Sequence, residues 1–184
     1  LKPFKAKQIW NWIYCFGKIN FQEMTNLDKE TRELLNECSF IFRPKINSVH
    51  KSKDGTIKWL LEMDDKSLIE TVFIPQGKRG TICISSQVGC TLSCTFCNTG
   101  TQKLVRNLST YEILGQIFTV IDHLNDWPMS KTNRKVTNLV MMGMGEPLLN
   151  YENVKKALKI VMSSNGLCIS KRRITMSTSG IVPM

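Results

Sequence analysis

The chain has 184 residues, 42% hydrophobic and 22% charged, a globular composition that excludes a disordered protein. No apolar run approaches the roughly 20 residues of a membrane-spanning helix, which excludes that class. Its 25 basic and 15 acidic residues leave a net charge of +10, divided evenly between residues 1–60 and 61–184, so a distributed field suited to a polyanion replaces any basic tail.

Residues 3–16 carry helical periodicity, with Ile9, Trp10, Ile13 and Phe16 on one face and Gly17 as a stop. A second helix is expected over about 27–38, with Leu27, Leu34, Leu35 and Cys38 as its apolar positions, and Cys15 and Cys38 are read as core. From about 40 to 75 the pattern turns to strands. The runs Thr56 to Met63 and Ser67 to Ile74 flank the polar turn Asp64-Asp65-Lys66 and predict a hairpin. Pro75 to Gly80, rich in Gly and basic residues, reads as a linker, dividing the chain into a small α+β domain (1–75) and a second domain (76–184).

Beyond it, Thr81 to Ser85 is a buried strand candidate, and Ser109-Thr110-Tyr111-Glu112 is a capping box opening a helix to about 125. A strand over Val136 to Met142, a helix over about 151–164 and a strand over Arg173 to Ser177 complete a β-α-β-α-β order. That order predicts an α/β fold with a parallel sheet and helical crossovers. The sequence opens Leu1-Lys2-Pro3-Phe4-Lys5, without Met and without the apolar core of a signal peptide, and stops just past a strand. Both ends are read as cuts.

Seven cysteines stand at 15, 38, 83, 90, 94, 97 and 168. An odd, uneven set without an export signal points to a reducing, cytoplasmic compartment. Cys90-x-x-x-Cys94-x-x-Cys97 follows a strand, and Phe96 sits between the last two cysteines. Three close thiolates suit an iron–sulfur cluster and leave one iron open to a ligand, whereas an electron-transfer cluster takes four cysteines. Zinc is the rival, with Cys83 as a fourth thiolate in a closed structural site. Met142-Gly143-Met144-Gly145-Glu146-Pro147 ends the second parallel strand, where βα loops converge on chemistry. Its glycines permit close backbone approach, and Glu146 can receive a cationic amino group. Ser177-Thr178-Ser179-Gly180 ends the third strand with small hydroxyls; ordinary turns look the same.

These stretches, together with Pro3 to Gln8, Glu70 to Pro75, Cys83 to Cys90, Arg106-Asn107-Leu108, Asn138 to Asn150 and Ser170 to Arg173, resemble the RlmN family of radical-SAM adenine methyltransferases of bacterial RNA. The resemblance implies a partial radical-SAM (β/α) barrel, truncated after about three strands, behind a small N-terminal domain. It implies methylation of carbon 2 of adenine in 23S rRNA and tRNA by a cytoplasmic monomer with an external electron donor. In the family, one S-adenosylmethionine methylates a carrier cysteine, and a second is cleaved reductively so that its radical activates that methyl. A further cysteine resolves the RNA adduct through a disulfide. By motif match, Cys90, Cys94 and Cys97 would ligate a [4Fe–4S] cluster, and Gly145, Glu146 and Ser177 would contact S-adenosylmethionine. Cys83 would be the resolving cysteine and Glu70 the proton acceptor. The family's carrier cysteine lies downstream of Met184, so this polypeptide alone is expected not to turn over. The sister enzyme acting on carbon 8, and a zinc-stabilised RNA-binding module, are the competing readings.

Overall fold

The structure is a computed structural model that describes residues 2–92, 94–129 and 133–181. Leu1 and residues 182–184, on which part of the reading of the two ends rests, lie outside the described residues.

The N-terminal segment is helical. Helix α1 (Pro3–Tyr14) starts with Pro at its first position, where the missing N–H costs nothing. Helix α2 (Lys29–Cys38) is capped by Asp28, whose carboxylate accepts the Thr31 N–H at 3.0 Å. The two helices enclose a small apolar cluster of Phe21, Met24, Leu27 and Leu35. No residue of α1 is fully buried. The expected single stripe is instead divided: Ile9, Trp12 and Ile13 face the small cluster, while Tyr14 packs against the main core. Three expected core positions are corrected. Phe16 lies beyond the helix end and is 47% exposed, Leu34 is 52% exposed, and Cys38 is exposed because α2 rests on the cluster through Leu35 alone.

The main core is built on one six-stranded sheet, four strands paired antiparallel and continued by two paired in parallel. β1 (Lys45–Lys51), β2 (Ile57–Glu62), β3 (Leu68–Gln76) and β4 (Arg79–Cys83) pair antiparallel, each with the next. The predicted hairpin is β2–β3, with Trp59 paired to Thr71. The expected linker over Pro75 to Gly80 is a second hairpin turn: Pro75 pairs with Gly80 and Gln76 with Arg79. Glycine and charge at a tight turn look like those of a linker, and only the strands on either side distinguish them. The sheet therefore runs unbroken past residue 75.

β4 then pairs in parallel with β7 (Asn138–Met141), which pairs in parallel with β8 (Ile174–Met176). The crossovers carry α3 (Thr110–Leu124) and α4 (Tyr151–Met162), as the β-α-β-α-β pattern predicts. The capping box is formed, with the Ser109 side chain on the Glu112 N–H and the Glu112 carboxylate on the Ser109 N–H. Helix α3 is buried continuously from Glu112 to Ile121, covering the inward row Ile57, Trp59 and Leu61 of β2 and Ile82 of β4. Burying side chains of that size contributes about 1.5–3 kcal/mol each, so this helix–sheet interface contributes substantially to the stability of the fold. Both motif loops leave the sheet from the C-terminal ends of β4 and β7.

Candidate active site

After β4 the chain enters a minor ribbon, β5 (Gln87–Val88) paired with β6 (Arg106–Asn107), which closes the base of the cysteine loop. A bridge between Cys90 and Lys103 extends the closure outward. Inside the loop the Cys97 N–H donates to the Cys94 carbonyl at 3.0 Å, and the Gly100 N–H to the Cys97 carbonyl at 3.0 Å. The Leu92 N–H donates to Cys90 Sγ at 3.4 Å.

The three cysteines line one cavity of about 320 Å³. Its opposite wall comes from Gly143, Gly145 and Glu146 after β7 and from Ser177, Thr178 and Ser179 after β8. Six of the eight residues singled out in the sequence thus share one concavity, built by three consecutive parallel strands. The cavity is mainly apolar through Leu92, Met141, Met142 and Phe96, and Phe96 is 92% exposed. Among the described residues no three His, Cys, Asp or Glu side chains are gathered tightly enough for one metal ion. A cubane cluster asks less, since each thiolate binds a different iron and the sulfurs stand a cluster's width apart.

Glu146 is buried, and its carboxylate joins the two loops: one oxygen accepts the Ser179 N–H at 2.9 Å and the Ser179 hydroxyl at 3.1 Å, the other the Leu148 N–H at 3.1 Å. Burial pushes its pKa up, but the hydrogen bonds from Ser179, Thr178 and Leu148 outweigh it and hold the group below the usual carboxylate range. A carboxylate has about four acceptor sites, and these bonds occupy them, so a cationic ligand would have to displace the Ser179 or Thr178 hydroxyl to reach Glu146. Gly145 has φ +91°, and a Cβ there would lie 2.4 Å from the Gln87 Cβ. Only glycine lets this loop pass so close to the strand preceding the cysteines.

The supports beneath the cavity are polar and buried, and sequence reasoning gave them no role. Gln116 of α3 accepts from the Ser85 N–H at 2.8 Å and from the Thr71 hydroxyl at 2.9 Å, and donates to the Ser85 carbonyl at 3.0 Å. The Ser85 hydroxyl accepts the Met144 N–H at 2.9 Å and donates to the Glu70 carbonyl at 2.7 Å. Gln87 accepts the Glu146 N–H at 2.9 Å, and Asn150 donates to the Ser86 and Leu108 carbonyls, both at 2.7 Å. The signal available was a polar run, Ser85-Ser86-Gln87, directly continuing an apolar strand. Arg106 clamps the ribbon from outside, holding Glu112 through two bonds of 2.8 and 2.9 Å and Asp65 of the hairpin turn at 2.7 Å.

Cys83 and Glu70 lie apart from this cavity's lining. Cys83 ends β4 between Val72 and Val140, and burial pushes its thiol pKa up against a smaller opposing hydrogen bond from Met142, a residue that does line the cavity. Glu70 is on the sheet's solvent side, ion-paired with Lys58 at 2.9 Å.

The family model described as Radical SAM superfamily matches residues 84–184, and that described as Ribosomal RNA large subunit methyltransferase N-terminal domain matches residues 1–41. The chain is 54% identical over 180 residues to a dual-specificity RNA methyltransferase RlmN of Rhizorhabdus wittichii, covering 98% of this chain and 45% of that protein. To the Rhodospirillum rubrum protein of the same name it is 50% identical over 184 residues, covering 100% of this chain and 43% of the relative. The chain thus spans less than half the length of these curated relatives. A crystal structure of a radical SAM methyltransferase from Sphaerobacter thermophilus superposes with a TM-score of 0.87 at 37% identity, covering 98% of this chain and 52% of that one.

Proposed function

Because this chain belongs to the radical SAM superfamily, whose match takes in its cysteine loop and both glycine and serine loops, we propose that it is part of an enzyme methylating carbon 2 of adenine in 23S rRNA and tRNA. The observation that carries this reading is the single cavity shared by Cys90, Cys94, Cys97, Gly145, Glu146 and Ser177. The superfamily implies a [4Fe–4S] cluster and S-adenosylmethionine, and the donor set fits both. Three soft thiolates share a mainly apolar hollow with a buried carboxylate and small hydroxyls. When bound, the cluster supplies a low-potential electron at an iron with an open coordination position, which reductive cleavage of a sulfonium requires.

This chain's residues take the following parts, and the methyl-carrier cysteine that the resemblance implies is not among them. Cys90, Cys94 and Cys97 hold the cluster as thiolates. Glu146, kept anionic by its hydrogen bonds, binds the cofactor's ammonium group. Gly145 lets backbone carbonyls approach the same group, and the Ser177 hydroxyl bonds the cofactor's polar edge. Carbon 2 of adenine is not nucleophilic, so polar methyl transfer does not reach it. Cys83, kept as a neutral thiol by burial beside the cavity, serves as the resolving cysteine. Glu70 takes the proton from carbon 2 once Lys58 is displaced. Target recognition falls to residues 1–75 and, Glu70 apart, chemistry to 76–184, with one sheet making the two continuous. The enzyme works as a cytoplasmic monomer with an external electron donor; no helix among the described residues is long and apolar enough to cross a membrane.

The test is nuclease digestion and mass spectrometry of 23S rRNA and tRNA from cells with and without the gene. Loss of carbon-2 methyladenosine on deletion is expected. An unchanged level, or loss of carbon-8 methylation instead, overturns the assignment.

A further inference from the structure

At the other end of the parallel strands lies a second cavity, of about 640 Å³ and so twice the volume of the cysteine cavity. It opens between the β3–β4 turn and the segment entering β7, and four of its lining residues are cations: Lys78, Arg79, Arg134 and Lys135. Among the described residues no carboxylate lines it and none of the four is in an ion pair. Lys78 and Arg79 are exposed, and their side chains have no hydrogen-bond partner among the described residues. Arg134 is anchored by the Leu167 and Cys168 carbonyls at 2.8 and 3.2 Å, yet its Nε is buried without a partner. The nearest acid, Asp126, spends its carboxylate on the Lys135 and Val136 N–H groups. Phe73 and Pro75 give the hollow an apolar wall.

Concentrating like charges around a hollow is unfavourable unless something neutralises them, and burial together with repulsion from Arg173 already lowers the Arg134 pKa. The four cations are distributed along the hollow, two on the exposed turn and two on the inner segment. That layout suits successive charges on a chain better than one small anion, and the apolar wall suits a ribose or base beside them. We propose that this cavity grips the phosphodiester backbone of the target RNA at a distance from the reacting adenine. The proposal rests on the reading of the chain as part of an RNA-modifying enzyme. Contacts made so far from the chemistry contribute affinity and register, leaving the base to be chosen elsewhere.

The experiment is fluorescence anisotropy of a labelled RNA stem-loop against the full chain over a salt series. Two double variants of equal charge change are compared: Lys78→Ala/Arg79→Ala in the cavity, and Lys156→Ala/Lys159→Ala on α4 as control. Circular dichroism melting confirms that each is folded. Wild type and control should bind alike. The cavity variant should bind more weakly, with its log–log salt slope smaller by about 1.4 if two phosphates of a single-stranded segment are released. Equal weakening in both variants would make the effect one of net charge and overturn the proposal, as would an unaffected cavity variant while wild type binds RNA. Displacement of the RNA from wild type by millimolar inorganic phosphate, at constant ionic strength, would assign the site to a small anion and overturn it too. Absence of RNA binding by wild type would instead sink the functional reading on which it rests.

Discussion

Replacing Gln116 by Leu tests whether the buried polar support holds the cavity in place. Gln116, Ser85 and Thr71 are each inaccessible to solvent, so nothing from solution can replace a lost partner. The leucine fills the space but orphans the Ser85 N–H, the Ser85 carbonyl and the Thr71 hydroxyl. At about 1–3 kcal/mol for each buried unsatisfied group, and with the hydroxyl able to rotate, the loss should be about 3–6 kcal/mol. That is a large part of the 5–15 kcal/mol typical of a whole domain. Urea unfolding followed by circular dichroism measures it, and a cycle with Thr71→Val apportions it. In the wild-type background Thr71→Val should cost about 1 kcal/mol; in the Gln116→Leu background it removes an already orphaned hydroxyl and should cost nothing or restore about 1 kcal/mol. Because Ser85 Oγ receives the Met144 N–H, amide exchange at Met144 should accelerate as well. A loss below about 1 kcal/mol, or an identical Thr71→Val effect in both backgrounds, would refute the reasoning.

Gly145→Ala places a Cβ 2.4 Å from the Gln87 Cβ at a left-handed position, and should lower stability by about 2–4 kcal/mol, read as a drop in Tm. Arg106→Met leaves the Glu112 carboxylate buried without its guanidinium and should cost about 2–3 kcal/mol at pH 7, a penalty that shrinks as pH falls and Glu112 protonates. Glu146 has a folded-state pKa below its ordinary value, so its contribution is complete above about pH 4.3 and disappears as pH drops through the folded value. The stability gap between wild type and Glu146→Gln should therefore close in acid, measured by urea unfolding at stepped pH. Cys83, with its thiol pKa raised by burial, should react with iodoacetamide at pH 8 far more slowly than exposed Cys38, as peptide mass spectrometry will report.

Much of the parallel half was legible because its signals are local and redundant. The Ser109–Glu112 capping box, the apolar run before the Gly143–Gly145 loop and the cysteine spacing each name their own element. The gathering of three motifs into one cavity also followed, since consecutive parallel strands deliver their loops to the same end. What failed depended on partners distant in sequence. Pro75 to Gly80 has linker composition, and only pairing of Phe73 with Ile82 and Ile74 with Thr81 makes it a hairpin. The periodicity of α1 shows which residues are apolar but not that two separate clusters share them. Leu34 fits the apolar spacing of α2 yet stays exposed. Gln116 sits inside an apolar helix as an ordinary polar exception until Ser85 and Thr71 are brought against it.

The central claim is that Cys90, Cys94 and Cys97 hold a cluster with one iron free for S-adenosylmethionine. Iron and acid-labile sulfide analysis of the anaerobically reconstituted chain, with electron paramagnetic resonance of the reduced protein before and after cofactor addition, tests it most directly. About four irons and four sulfides per chain are expected, lost in each single Cys→Ser variant at 90, 94 or 97 and retained in Cys83→Ser, with a spectrum that changes when the cofactor is added. Colourless, zinc-rich protein, or an iron spectrum indifferent to the cofactor, would contradict it.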